Sequence, residues 1–365
     1  MIKTTNEEGD IMRVLFLHLS DCHIKDRERI SRNIIEAQVQ ALNIVGEFER
    51  CIIVFSGDIA FSGNQNEYKN AEYYLRTLWK LIKDKFNIFV ETIVVPGNHD
   101  IDFNDQDRSR TDICELLNKG VEEEVINEEL IRFNNFFEFS DYYKCFKHNK
   151  LIETRIIKHK SIKIQINLVN SELFSTFRDE LNDNDKGQHY LPSSEMYKLE
   201  KNKDIDYCVT VSHRSPEWFE CESCNHLKQK LNQFTDVFFY GHEHVDNVEV
   251  LQGKKSVLIK SIAKGINFQL QEIYFNTVVL DTDKDRCYLT QFAWDKNDRI
   301  FKARETRDHD ILKNKTNNSL IEPNSEFVSN FVLDENRINT EKYFVFPGLS
   351  RYDEDKYCEY DDIKQ

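Results

Sequence analysis

The chain reads as an α/β (α+β) protein whose first sheet begins largely parallel and carries a second, mixed or antiparallel sheet packed against it. Three observations predict this. Over the first 100 residues short apolar runs alternate with segments of helical periodicity. After a long interruption the apolar runs resume without long helices between the last of them. Several of the runs end abruptly in a short polar motif, as expected when strand ends deliver side chains to one rim of a sheet.

Residues 14–19 form the first strand-like run and stop at Ser20-Asp21. From residue 28 to 48, Ile30, Ile34, Ala37, Ala41, Ile44 and Phe48 recur at steps of three and four, which places them on one helical face. A second strand over 51–55 ends at Ser56-Gly57-Asp58, and a helix follows, marked by Ala71, Leu75, Leu78 and Ile82. The third strand, 92–95, ends at Pro96-Gly97-Asn98-His99. Such alternation implies right-handed crossovers and parallel pairing. Residues 101–160 interrupt the pattern and read as a helical insert, with Ile126, Leu130, Phe133 and Phe137 at helical spacing. These aromatics are expected to pack the insert onto the core; the alternative is a lid or substrate wall. Strand-like runs resume at 162–169, 207–211, 237–240, 256–262 and 277–280. One principal domain over 12–300 is expected, with a polar and acidic C-terminal extension over 301–365. Within it, residues 343–347 form an apolar patch, expected to dock on its own domain, with recruitment of a protein partner as the alternative.

The net charge of −15 argues against a surface made for tight, non-specific grip on a phosphate backbone, which needs clustered Lys and Arg. Nine cysteines without framework spacing read as reduced thiols of a cytoplasmic protein. No apolar run reaches the length of a membrane span, and the polar first ten residues do not resemble a secretory signal. The segment Cys221-Glu-Ser-Cys224-Asn-His226 lacks a second ligand pair at zinc-knot spacing and reads as a loop with free thiols.

Five distant segments carry the chemistry: Asp21-Cys-His23, Gly57-Asp58, Gly97-Asn98-His99-Asp100, His213 and Gly241-His242-Glu243-His244. They combine carboxylate, imidazole and amide oxygen donors with no obligatory thiolate, a set that suits Mn, Fe or Zn. Asp21 and His23, like His242 and His244, point to one side if extended, and the glycines give the backbone room to turn. His99 follows the amide donor Asn98 yet need not bind metal, so it is the candidate catalytic acid. Arg108, Arg110 and Arg214 are possible substrate contacts whose expected fate is surface solvation. His18 reads as a core residue and His189 as a loop residue.

In sequence order these motifs resemble the calcineurin-like metallophosphoesterase superfamily over roughly residues 12–280. Ser56-Gly-Asp-Ile-Ala-Phe-Ser-Gly63 with Glu67-Tyr68, and Val211-Ser-His-Arg-Ser-Pro216, look most like the bacterial class III cyclic-nucleotide phosphodiesterase branch. The resemblance implies a two-sheet sandwich flanked by helices. It also implies two divalent metal ions, one held by Asp21, His23 and His244, the other by Asn98, His213 and His242, with Asp58 bridging. Arg214 and Ser215 depart from a pattern in which many relatives carry His and Pro. Two such ions about 3.5–4 Å apart bind phosphoryl oxygens and share a bridging hydroxide that attacks phosphorus. The expected function is a metal-dependent phosphohydrolase, with a phosphodiester, nucleotide-type substrate favoured. A DNA or RNA nuclease, alone or within a multi-protein bacterial defence system, is the alternative, and a non-catalytic scaffold is a third reading.

Overall fold

The computed structural model describes residues 12–102, 122–147, 150–175, 186–243, 248–252, 257–262, 266–267 and 272–311. The chain divides into Met1–Asn314 and Lys315–Gln365, and the second unit lies outside the described residues, as do the apolar and acidic stretches of the C-terminal extension.

Three parallel strands open the fold: β1 (Arg13–Leu19), β2 (Arg50–Ser56) and β3 (Phe89–Val95). β2 is buried along its whole length and β1 nearly so, which explains their continuous apolar sequence, since both faces of the sheet are covered. Helix α1 (Arg32–Ala41), with 3-10 turns on either side, connects β1 to β2. Helix α2 (Gln65–Phe86) connects β2 to β3. Asn64 caps α2 by accepting from the N–H groups of Asn66 and Glu67, and Asn87 ends it in the left-handed conformation.

The insert contains helices α3 (Glu122–Leu130) and α4 (Asn134–Tyr142), and its aromatics do pack the core: Phe133, Phe136 and Phe137 are fully buried. Its predicted end at residue 160 is corrected, because β4 (Ile152–His159) is a strand paired antiparallel with β5 (Ile162–Val169). β5, β6 (Tyr207–Val211), β7 (Val237–Tyr240) and β9 (Val257–Ile262) then run parallel, and β8 (Val248–Gln252) closes the edge antiparallel to β9. This is the expected second, mixed sheet.

The run at 277–280 belongs elsewhere. It lies in β11 (Glu272–Asp281), which pairs antiparallel with β1 and extends the first sheet through β12 (Arg286–Asp295) and β13 (Ile300–Asp310). The short β10 (Ile266–Asn267) pairs with β11. The sheet therefore runs ten residues past the predicted boundary at 300. β13 is an edge strand rich in Lys, Arg, Asp and Glu, and charged edges discourage pairing with other chains, so it lacks the apolar signature of a strand. Phe16 of β1 meets Phe239 of β7 with ring centroids 5.6 Å apart, which ties the two sheets into one sandwich core. Among the described residues no helix is long and apolar enough to cross a membrane.

Candidate metal centre

Five parallel strands, three from the first sheet and two from the second, end at one rim. Asp21 and His23 follow β1, Asp58 follows β2, Asn98 and His99 follow β3, His213 follows β6 and His242 follows β7. The exits are stitched together by backbone. The N–H of Asp21 donates to the Gly57 carbonyl, those of Cys22 and His23 to Asp58, and that of Gly241 to His213.

Asp58 lies at the centre and is almost fully buried. One carboxylate oxygen accepts the His99 backbone N–H at 2.8 Å; the other is 3.4 Å from Nε2 of His213 and 3.9 Å from Nε2 of His23. Two groups with the spacing of a metal site share it: His23, Asp58 and His99, and Asp58, His213 and His242, with donor atoms within 4.8 Å of one another in each. Asp21 accepts the His242 backbone N–H at 3.2 Å, and the Asn98 amide oxygen is 3.2 Å from His213 Nε2. The structure thus brings together six of the seven sequence-predicted ligands; His244 lies outside the described residues, as do Arg108 and Arg110. It also sets His99 beside His23, with ring centroids 4.3 Å apart.

Two of the rings are fixed from behind by backbone carbonyls. His213 Nδ1 is 2.8 Å from the Ser56 carbonyl, and His99 Nδ1 is 2.8 Å from the Phe61 carbonyl. A ring N–H donated to a carbonyl fixes the tautomer and leaves Nε2 to face the centre. Asp21, His23, Asp58 and His242 all adopt positive φ, between 45° and 66°. Such backbone is sparsely populated by residues with side chains and concentrates at functional sites. The space around the carboxylates depends on missing Cβ atoms. A Cβ on Gly97 would lie 2.1 Å from an Asp58 carboxylate oxygen, and one on Gly241 would lie 1.9 Å from Ser20 Oγ and 2.6 Å from an Asp21 carboxylate oxygen. A nitrogen and oxygen donor set around a shared carboxylate, in a cradle kept open by glycine, fits a divalent metal ion.

A model of the calcineurin-like phosphoesterase family matches residues 14–246, well over half of the chain, and spans every one of these strand exits. The chain belongs to that family. Its divalent-metal chemistry agrees with the donors assembled here. No curated protein matches the chain. Among solved structures, the chain is similar to GAP50, the anchor in the inner membrane complex of Plasmodium, at 13% identity over 84% of this chain and 91% of that one, with a TM-score of 0.42. The calcineurin-like phosphoesterase YfkN from Bacillus subtilis is 10% identical over 84% and 92%, with a TM-score of 0.34. A Vps29 single mutant from Entamoeba histolytica is 14% identical over 81% and 99%, with a TM-score of 0.34.

Supporting residues of this calcineurin-like phosphoesterase include several that the sequence reading left unassigned or placed elsewhere. Asp100 is buried and its carboxylate accepts from the N–H groups of Ile59, Ala60 and Gly97 and from the Tyr68 hydroxyl, tying the β2 and β3 exits together. Burial, reinforced by the neighbouring Asp58 charge, raises its pKa to about 7. Arg214, expected on the surface, is instead 2% exposed. Its Nε donates to Glu172 at 2.8 Å, its Nη1 donates to Nε2 of His242 at 2.8 Å, and its Cζ lies 4.4 Å above the Trp218 ring. A guanidinium can enter the interior here because a buried carboxylate and a ring face receive it. His18 is a buried core residue, 2.8 Å from Ser56 Oγ, as expected, and His189 is buried beside Trp218. Cys221 and Cys224 are free but open a helix, α5 (Cys221–Phe234), which corrects the loop reading.

Burial alone would lower the His213 pKa, yet the Asp58 carboxylate beside it reverses this and raises it to about 10. Burial pushes the Asp58 pKa up, but His213, His99 and His23 together hold it well below 3.8. In the metal-free protein the raised imidazole contributes stability that is full below its unfolded value of 6.5 and lost as pH rises through about 10. The depressed carboxylate contributes stability that is present above 3.8 and lost as pH falls below it. Thermal melts in excess chelator are therefore expected to decline as pH rises from 6.5 towards 10, and His213→Gln should flatten that slope. An unchanged slope in the variant would contradict the pairing.

Gly97→Ala is expected to cost about 1–3 kcal/mol, the range for overpacking a tight site, and to weaken metal binding by displacing the Asp58 carboxylate. Denaturant titration and metal titration of the same variant check the two effects separately.

Proposed function

We propose that the protein is a dinuclear metal-dependent phosphohydrolase acting on a small, nucleotide-type phosphodiester. The observation that carries this reading is the sharing of Asp58 by two donor groups. Asp21, His23 and His244 would hold one Mn, Fe or Zn ion and Asn98, His213 and His242 the other, with His99 beside His23 kept out of the ligand set. When bound, such ions polarise phosphoryl oxygens and bring the pKa of water towards neutrality. The chain's own residues orient the donors. Ser56 and Phe61 fix the His213 and His99 rings through their carbonyls, and Arg214 holds His242. His99, whose ring lies 5.9 Å from that of Phe61, would protonate the leaving oxygen through Nε2.

The diester preference rests on the resemblance of residues 56–68 and 211–216 to the class III cyclic-nucleotide phosphodiesterase branch. The net charge of −15 favours a small anion over a long polyanion. The test measures bound metal and compares hydrolysis of a chromogenic diester, its monoester, 3′,5′-cyclic nucleotides and labelled single-stranded DNA. Turnover of cyclic nucleotides and the diester above the monoester is expected. Cleavage of DNA alone, or stoichiometric metal with no turnover, would overturn the proposal.

A further inference from the structure

We infer that the Phe61 ring is a nucleobase-stacking platform at the rim of the centre, with Lys25 beside it as a contact for the phosphate, which makes Phe61 a specificity-determining residue; this rests on the nucleotide reading above. Phe61 follows two fully buried residues, Ile59 and Ala60, yet its own side chain is 42% exposed. Its backbone is held through both its N–H and its carbonyl. Its N–H donates to the Ile24 carbonyl at 3.2 Å, its carbonyl lies 2.8 Å from His99 Nδ1, and Ile24 and Ala60 form a parallel bridge. The same bridge sets the loop after β1 beside the loop after β2, so that Lys25 Nζ lies 4.8 Å from the Phe61 ring centroid. The Lys25 carbonyl is in turn held by the Asn70 side chain at 2.9 Å.

The ring is placed for a ligand already anchored in the centre. Phe61 and His99 ring centroids are 5.9 Å apart, and the His99 backbone N–H donates to Asp58. A phosphate seated between His23, His99 and Asp58 would carry its sugar past His99, and the next flat group along would meet Phe61. An aromatic face is a sequence-tolerant platform for any base, and a lysine on a flexible stem can leave the ring for an anionic oxygen when the base takes that face.

Calorimetry on Mn²⁺-loaded full-length protein with adenosine monophosphate and ribose 5-phosphate tests this, because the two probes differ by the base alone. The wild type is expected to bind the nucleotide about 5- to 150-fold more tightly, the range for one base stacked on one aromatic side chain. Phe61→Ala should collapse the ratio to about twofold or less while binding of ribose 5-phosphate stays unchanged, and Phe61→Trp should preserve it. Lys25→Ala should weaken both probes alike. Equal affinities in the wild type, or a ratio that survives in Phe61→Ala, would overturn the subsite. A preserved nucleotide preference in a protein that hydrolyses no diester would sink the catalytic reading and leave the subsite standing.

Discussion

Asp58→Asn is expected to lower kcat/KM on any phosphodiester substrate by more than about 100-fold and to reduce bound metal. Removing even an outer partner of a metal ligand costs about 10- to 100-fold in affinity or activity, and Asp58 is shared by both donor groups. The substitution is nearly isosteric, so the fold should persist. It exchanges one anionic oxygen for an amide that cannot balance cationic charge. The His99 N–H can still donate to the remaining oxygen, which preserves the β3 exit. The decisive comparison is metal stoichiometry beside kinetics, with circular dichroism as the check on folding. Full metal content and wild-type rates in this variant would remove Asp58 from the centre.

Arg214→Ala is expected to destabilise the protein by about 3–5 kcal/mol, the range for removing one partner of a buried ion pair. Glu172 is fully buried and would lose the guanidinium that faces it, which leaves the Ser171 and Ser175 hydroxyls as the donors to its carboxylate among the described residues. Trp218 would lose the cation over its ring and His242 its Nη1 contact. The double variant Arg214→Met with Glu172→Gln removes both charges and should recover most of the stability, because a buried pair replaced as a unit is close to neutral. Denaturant titration of the single and double variants measures the coupling. Activity should fall in both, since neither orients His242, and that separates the residue's positioning role from its part in stability.

Much of the fold was legible because its signals are local. The runs at 162–169, 207–211 and 237–240 coincide with β5, β6 and β7, and the first three strands were found to within three residues at each end. Helix α5 carries Cys224, Leu227, Leu231 and Phe234 at helical steps, a signal masked by a Cys-x-x-Cys spacing that reads equally as ligand chemistry. β13 carried no readable signal, since a charged edge strand has one apolar neighbour in the sheet and solvent on its other side.

By itself the sequence determined which residues carry donor atoms suited to a metal, and that they follow strands, because donor chemistry and apolar runs are properties of short segments. It could not place Arg214 or Glu172. Each is an ordinary charged residue until β5 and β6 align side by side and the exit of β7 brings His242 against them. The tertiary structure alone decided that Asp58 is shared and that His99 lies beside His23. It also decided that Phe61 stays in water at the rim, because these are distances between loops joined only by long-range pairing and burial.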